Sequence, residues 1–151
     1  MPLLVASLLF GACSDDTHSC TLKACIGRDV ELALVDEAGG AVAATGEYRV
    51  SSPSTEPLTA QFDCTDTADD ARCRDGVVVL SSATDAAAVV ELRYELEPGT
   101  YTEWERVEIQ YTEQTDPDFN GPGCPCTWYD GADRSTLVPE AARRPLPAQS
   151  P

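Results

Sequence analysis

Seven cysteines and a single histidine in 151 residues constrain this chain more than any other feature. An odd number cannot pair off completely, so one cysteine stands apart. Cys13 directly follows an uncharged N-terminal stretch; the other six are Cys20, Cys25, Cys64, Cys73, Cys124 and Cys126. In an exported chain, six cysteines read as three disulfides. Cys64 and Cys73 flank a polar stretch, TDTADDAR, between two strand-like runs. A bond across the base of such a hairpin is easy, because facing strands hold their Cα atoms within about 4.4–6.8 Å. A bond within Cys124-Pro125-Cys126 would close a small, stiff ring. The preferred arrangement therefore has both of these cysteines reaching back to Cys20 and Cys25, pinning the N-terminal segment to the last hairpin. Cys20–Cys25 with Cys124–Cys126 is the alternative. Zinc fits less well, since its sites favour closely spaced pairs and the intervals here are four, eight and one residue. A redox centre at Cys124-Pro125-Cys126 lacks the neighbouring cation that lowers a thiol pKa.

The first residues read as an address. Pro2 to Ala12, PLLVASLLFGA, carries no charge. That is the length of a signal-peptide apolar region and well short of the roughly twenty residues of a membrane span. Leu9-Phe10-Gly11-Ala12-Cys13 resembles the lipobox of a bacterial lipoprotein precursor, with Phe10 where that family usually has Leu. The resemblance implies cleavage before Cys13, acylation of its sulfur and new amino group, and a membrane partner reached through the lipid. Several acyl chains make a stable anchor where one is marginal. Ser14, rather than Asp, follows the cysteine, which in that family points to the outer membrane. Read without the resemblance, the stretch is an ordinary secretory signal cut after Ala12. The resemblance thus implies a signal peptide over residues 1–12 and a polar, lipidated tether over 13–19, in which His18 reads as a solvated linker residue.

Period-two alternation dominates the rest of the chain. Val30, Leu32 and Leu34 alternate with Glu31 and Ala33; Leu58, Ala60, Phe62 and Cys64 form a second apolar row. Val90 to Leu96 is the cleanest case, with Glu91, Arg93 and Glu95 on the wet side. Such patterns mark half-buried strands. Val77 to Leu80 has no wet face and reads as central. Val107, Ile109 and Tyr111 form another strand, with Trp104 at the opposite parity, so a bulge or bend near Glu105 is expected. Tyr48 and Val50 mark one more, and Trp128 with Leu137 and Val138 a last one. Ala83 to Ala88 fits a helical turn. Gly39-Gly40, Asp75-Gly76, Pro98-Gly99 and Asn120-Gly121 supply turns. The expectation is an all-β, antiparallel β-sandwich of about seven strands over residues 20–138, stapled by disulfides, followed by a disordered Pro- and Ala-rich tail at 139–151.

Two segments resemble the carboxypeptidase regulatory-like domain, a transthyretin-like β-sandwich. They are Leu34-Val-Asp36-Glu-Ala-Gly39-Gly-Ala-Val42, similar to its strand-D-x-x-G turn, and Leu96-Glu-Pro98-Gly99-Thr-Tyr101, similar to its L-x-P-G-x-Y segment. The resemblance implies an accessory module without catalytic residues. The whole chain also looks like Cys-rich surface lipoproteins of environmental bacteria.

Ten basic against twenty-six acidic residues give a net charge of −16, which argues against nucleic acid, whose binding needs clustered cations. One histidine leaves little for the usual acid–base constellations. Asp116, Asp118 and Asn120, in D-x-D-x-N-G, match the first half of a calcium loop, though Thr127 stands where a bidentate Glu belongs. Calcium is therefore the one cofactor the sequence leaves open. Asp63, Asp66, Asp69, Asp70 and Asp75 read as a solvated hairpin tip. Glu103, Glu105 and Glu108 read as a solvent face rather than a glycosidase pair. Trp104, Trp128 and Tyr129, with Tyr101 and Tyr111, offer an aromatic platform for a sugar, against the commoner use of such residues in a core. The functional expectation is a non-catalytic, lipid-anchored envelope protein that contacts an envelope protein or polysaccharide. A carbohydrate- or calcium-binding accessory module is the alternative.

Overall fold

A computed structural model of the chain describes residues 20–145, apart from 22, 54, 66–71 and 82. The signal stretch 1–12, the tether 13–19 and Cys13 lie outside the described residues. The described chain is built from strands: β1 (Val30–Val35), β2 (Thr45–Ser52), β3 (Thr55–Asp63), β4 (Cys73–Arg74), β5 (Val77–Leu80), β6 (Val89–Glu97), β7 (Thr100–Tyr101), β8 (Glu105–Val107), β9 (Tyr111–Asp116), β10 (Cys126–Gly131) and β11 (Arg134–Leu137), with a single 3-10 turn at Glu140–Ala142.

One sheet has the order β4-β5-β1-β11. A second has the order β3-β2-β6, and the far edge of β6 is shared by β7 and β8. Every pair is antiparallel except β1–β11, which is parallel. The alternating residues of both sheets meet in one core. Val30, Leu32, Leu34, Val78 and Leu80 come from the first; Tyr48, Val50, Phe62, Val90, Leu92 and Tyr94 from the second. Period two sends these side chains to one side of each sheet, and only a second sheet can cover them. That makes the architecture a sandwich.

More strands are present than the expected seven because edges are cut into pieces. β7 and β8 are one edge strand interrupted at 102–104. There the Thr102 Oγ1 accepts the Tyr94 N–H at 2.9 Å, and the Thr102 N–H is given to the Tyr94 carbonyl at 2.8 Å. This is the irregularity expected near Glu105, and it turns Trp104 to the outer face. The strand expected through Val107, Ile109 and Tyr111 is likewise split, into β8 and β9. Leu58 is not inward as expected but 43% exposed, since β3 is an edge strand and only its second half is covered. Ala83 to Ala88 is no helix: two separate turns, Ala83 N–H to Leu80 O and Ala88 N–H to Asp85 O, account for it.

Cys64 and Cys73 are bonded, with Cα atoms 5.3 Å apart, but not across a hairpin. β3 and β4 belong to different sheets, so the bond clips the two sheets together along one open side. Cys20–Cys124 and Cys25–Cys126, each with Cα atoms 5.6 Å apart, tie the N-terminal segment to the β9–β10 hairpin. Thr21 N–H to Asn120 O at 2.8 Å and Arg28 N–H to Asp130 Oδ1 at 2.8 Å reinforce the attachment. Gly27 is required there, because a Cβ would lie 2.0 Å from the Tyr129 carbonyl oxygen.

The expected tail starts later than 139. Val138 and Ala142 are fully buried. Arg144 gives its backbone N–H to Ala43 O, and its guanidinium donates to Leu96 O and Glu95 O at 3.0 and 2.8 Å. Residues 138–144 thus cross between the sheets and belong to the folded body.

Candidate functional site: a fork in the sandwich edge

The β9–β10 hairpin runs in register from Cys126↔Asp116 to Gly131↔Tyr111, and its last bond is Ala132 N–H to Gln110 O at 2.9 Å. Beyond that bond the two arms part. Glu105 to Val107 becomes β8 and pairs with β6 of one sheet; Arg134 to Leu137 becomes β11 and pairs with β1 of the other. The arms therefore frame a fork on the side of the sandwich opposite the Cys64–Cys73 bond. It holds a cleft of about 390 Å³ lined by Leu92, Glu105, Val107, Arg134, Thr136 and Leu137, among others.

Register decides which side chains face this cleft. Leu32 and Leu34 point into the core, so their partners Arg134 and Thr136 point inward too, while Leu137 is left 54% exposed. The polarity of β11 is inverted relative to an ordinary core-covering strand. The buried Arg134 Nε and Thr136 Oγ1 have no hydrogen-bond partner among the described residues, nor do the buried hydroxyls of Tyr94 and Tyr111. On the opposite wall Glu105 is the register partner of inward Leu92. Burial pushes the Tyr94 phenol well above its usual pKa, and the Glu105 charge adds to that shift. Donors on one wall thus face a carboxylate on the other.

The sequence-derived candidates fall in three places instead of one. Trp104 lies on the outer face of the second sheet, with the Arg49 and Arg93 guanidiniums 4.5 and 4.6 Å from its ring centre. Arg93 also stacks on Tyr101 at 4.4 Å. The two arginines are paired with Glu91 and Glu47. The hydrogen bond from Arg49 holds the Glu91 carboxyl below its ordinary value, against an opposing push from partial burial. Trp128 packs on Phe119 at 5.8 Å in the hairpin, and the Tyr129 hydroxyl donates to Glu113 at 3.2 Å, which raises its pKa. Tyr111 packs against the core. A single aromatic platform is not formed. Beside Tyr101, however, a polar groove of about 360 Å³ is lined by Thr45, Gln61, Asp63, Arg72 and Glu95.

Asp116, Asp118 and Asn120 each accept hydrogen bonds through Oδ1. Asp116 Oδ1 accepts the Asp118 N–H at 2.9 Å, Asp118 Oδ1 accepts the Gly123 N–H at 2.8 Å, and Asn120 Oδ1 accepts the Lys23 N–H at 3.1 Å and the Thr21 hydroxyl at 3.2 Å. The loop's oxygens fold the loop and dock the N-terminal segment. Among the described residues, no group of three or more His, Cys, Asp or Glu could hold a metal. Glu103, Glu105 and Glu108 are exposed, and Glu108 pairs with Arg106 at 3.1 Å. Asp66, Asp69 and Asp70 lie outside the described residues.

No family model, curated protein or solved structure matches the chain. Its three disulfides belong to an oxidising compartment. No helix among the described residues is long and apolar enough to cross a membrane. Nothing in the residue pattern signals the fork. Arg134 and Thr136 look like surface residues until the parallel pairing to β1 sets their direction.

Proposed function

We propose that the protein is a non-catalytic module of the cell envelope, anchored through acylated Cys13 and acting by contacts of its disulfide-stapled sandwich with an envelope protein or polysaccharide. The disposition of the cysteines carries this reading. Six of the seven pair with one another, and the seventh, Cys13, is the one that ends the uncharged run Pro2 to Ala12. Two turns agree with the motif resemblance from which the accessory role is taken. Asp36 Oδ1 accepts from Ala38 and Gly40 N–H at 2.9 and 2.8 Å, closing the first motif's turn. Pro98-Gly99 turns β6 into β7 with Gly99 at a φ of +80°, as in the second. The outer membrane is the destination that Ser14 favours. Intact-mass and peptide mass spectrometry of the membrane-extracted protein tests the proposal. The expected product begins at an acylated Cys13, and a mature chain with unmodified Cys13 would overturn the anchor.

A second reading, a carbohydrate-binding module, is favoured by the polar groove beside Tyr101. A glycan array tests it: binding that Tyr101→Ala abolishes would establish it. The calcium form of that reading rests on Asp116, Asp118 and Asn120, whose Oδ1 atoms accept backbone N–H groups; a melting-temperature comparison with calcium and with chelator tests it, and no shift would remove it.

A further inference from the structure

The geometry points to the fork between β8 and β11 as the docking site for one extended, basic polypeptide segment of another protein, paired main chain to main chain with the two strand edges. It deepens the interaction reading above by naming the kind of partner.

Both walls of the cleft are strand edges. β8 is bonded on one side to β6 and β11 on one side to β1, and they are not paired with each other. A strand edge presents N–H and C=O groups at a regular spacing, and its natural complement is another strand. A segment between the two arms would continue the hairpin ladder that stops at Ala132 and Gln110.

The side chains specify the occupant further. Arg134 Nε and the Thr136 hydroxyl are buried donors without acceptors among the described residues, and leaving such groups unmet is costly. Glu105, across the cleft, is an acceptor. A peptide backbone supplies carbonyls for the first wall and N–H groups for the second. Glu105 and Glu108 line the cleft beside Arg106 and Arg134, and the chain as a whole carries a net charge of −16. That field attracts Lys- and Arg-bearing segments and repels a second copy of the same chain. The apolar floor, Leu92 and Val107, would take the inward side chains of the guest.

Panning a phage-displayed random-peptide library against the full, disulfide-intact protein tests this. The expected binders are basic and alternate apolar with polar residues. They slow amide hydrogen exchange at 105–107 and 134–137 by about tenfold or more. N-methylation at successive positions of the peptide abolishes binding, because a strand paired along both edges uses the N–H groups that point to each side. Arg134→Ala weakens binding about tenfold, whereas Tyr101→Ala does not. No selected peptide, protection confined to other amides, or indifference to N-methylation would each overturn the proposal. So would self-association that protects the same amides, which would make the occupant a second copy. Self-association appearing only in Arg134→Ala would also overturn it, since Arg134 would then be a guard against edge pairing. An unmodified Cys13 would leave these results untouched, and their failure would leave Cys13 acylation standing.

Discussion

Along the side where β3 and β4 lie, Cys64 and Cys73 hold the two sheets at a Cα–Cα distance of 5.3 Å. Along the opposite side, β8 and β11 face one another across a cleft and are not paired with each other. On the first side β4 is two residues long and most of β3 is exposed, and the covalent link is joined there by a hydrogen bond from the Arg72 guanidinium to the Gln61 carbonyl at 3.3 Å. The second side is held at both ends instead. The β9–β10 hairpin joins the arms below, and the segment around Ala142 and Arg144 crosses above. Holding a gap by its ends leaves its middle open, and that is where the inward polar groups of β11 sit. A disulfide closes a seam; a splayed hairpin keeps one apart.

Three measurements test the contrast between the two sides. Leu92→Ala removes the floor of the fork and part of the shared core, and should cost about 2–5 kcal/mol in chemical denaturation. A much smaller loss would mean that Leu92 belongs to the cleft rather than the core. Replacing Cys64 and Cys73 together by Ala should cost about 2–3 kcal/mol, as expected for a short closed loop. If the denaturation midpoint does not move, the seam is held by packing alone and the contrast fails. Thr136→Val exchanges an unmet inward hydroxyl for a methyl group. It should be neutral or stabilising by up to about 1 kcal/mol; a clear loss of melting temperature would show that the hydroxyl has a partner and the fork is filled.

The smallest effect belongs to the outer face, remote from both sides. Glu91→Gln should cost about 0.2–1 kcal/mol, since the pair with Arg49 is partly solvated. The native Glu91 carboxyl titrates below its ordinary 4.5 because of the hydrogen bond from Arg49. Its contribution is therefore complete above about pH 4.5 and fades as the pH falls through the lowered native value. Stability curves of the two proteins should converge in acid; a constant offset at all pH values would show that the charge is not the cause.

The legible parts of the fold were those set by local periodicity. β1 and β6 follow from alternating residues that need only one neighbour sheet, and their inward rows, Val30 to Leu34 and Val90 to Tyr94, are buried as expected; β5, an apolar run without a wet face, lies between β1 and β4. Cys64–Cys73 was legible from its place between two strand-like runs, and the stiffness of Cys124-Pro125-Cys126 favoured bonds back to Cys20 and Cys25; which cysteine meets which was decided only in the fold. What misled was composition. PEAARRPLPAQSP reads as a solvated tail, yet Ala142 is small enough to be buried and Arg144 reaches two carbonyls of β6. In the D-x-D-x-N-G loop, Oδ1 of each of Asp116, Asp118 and Asn120 is turned to a backbone donor of the loop or of the N-terminal segment, contacts that the motif alone does not show. The aromatic residues dispersed because the strands that carry them part company after Gln110.

Alternation and counting were enough to establish an all-β chain with half-buried strands and six paired cysteines, because each of these depends on neighbours in sequence or on parity. Which sheet each strand joins was settled only in the folded molecule. That choice makes Cys64–Cys73 a clip between sheets instead of a hairpin base. It also turns Arg134 and Thr136 inward through their parallel pairing with Leu32 and Leu34. Strand partners are chosen by long-range hydrogen bonding and shared burial, which leave no periodic mark in the residues concerned.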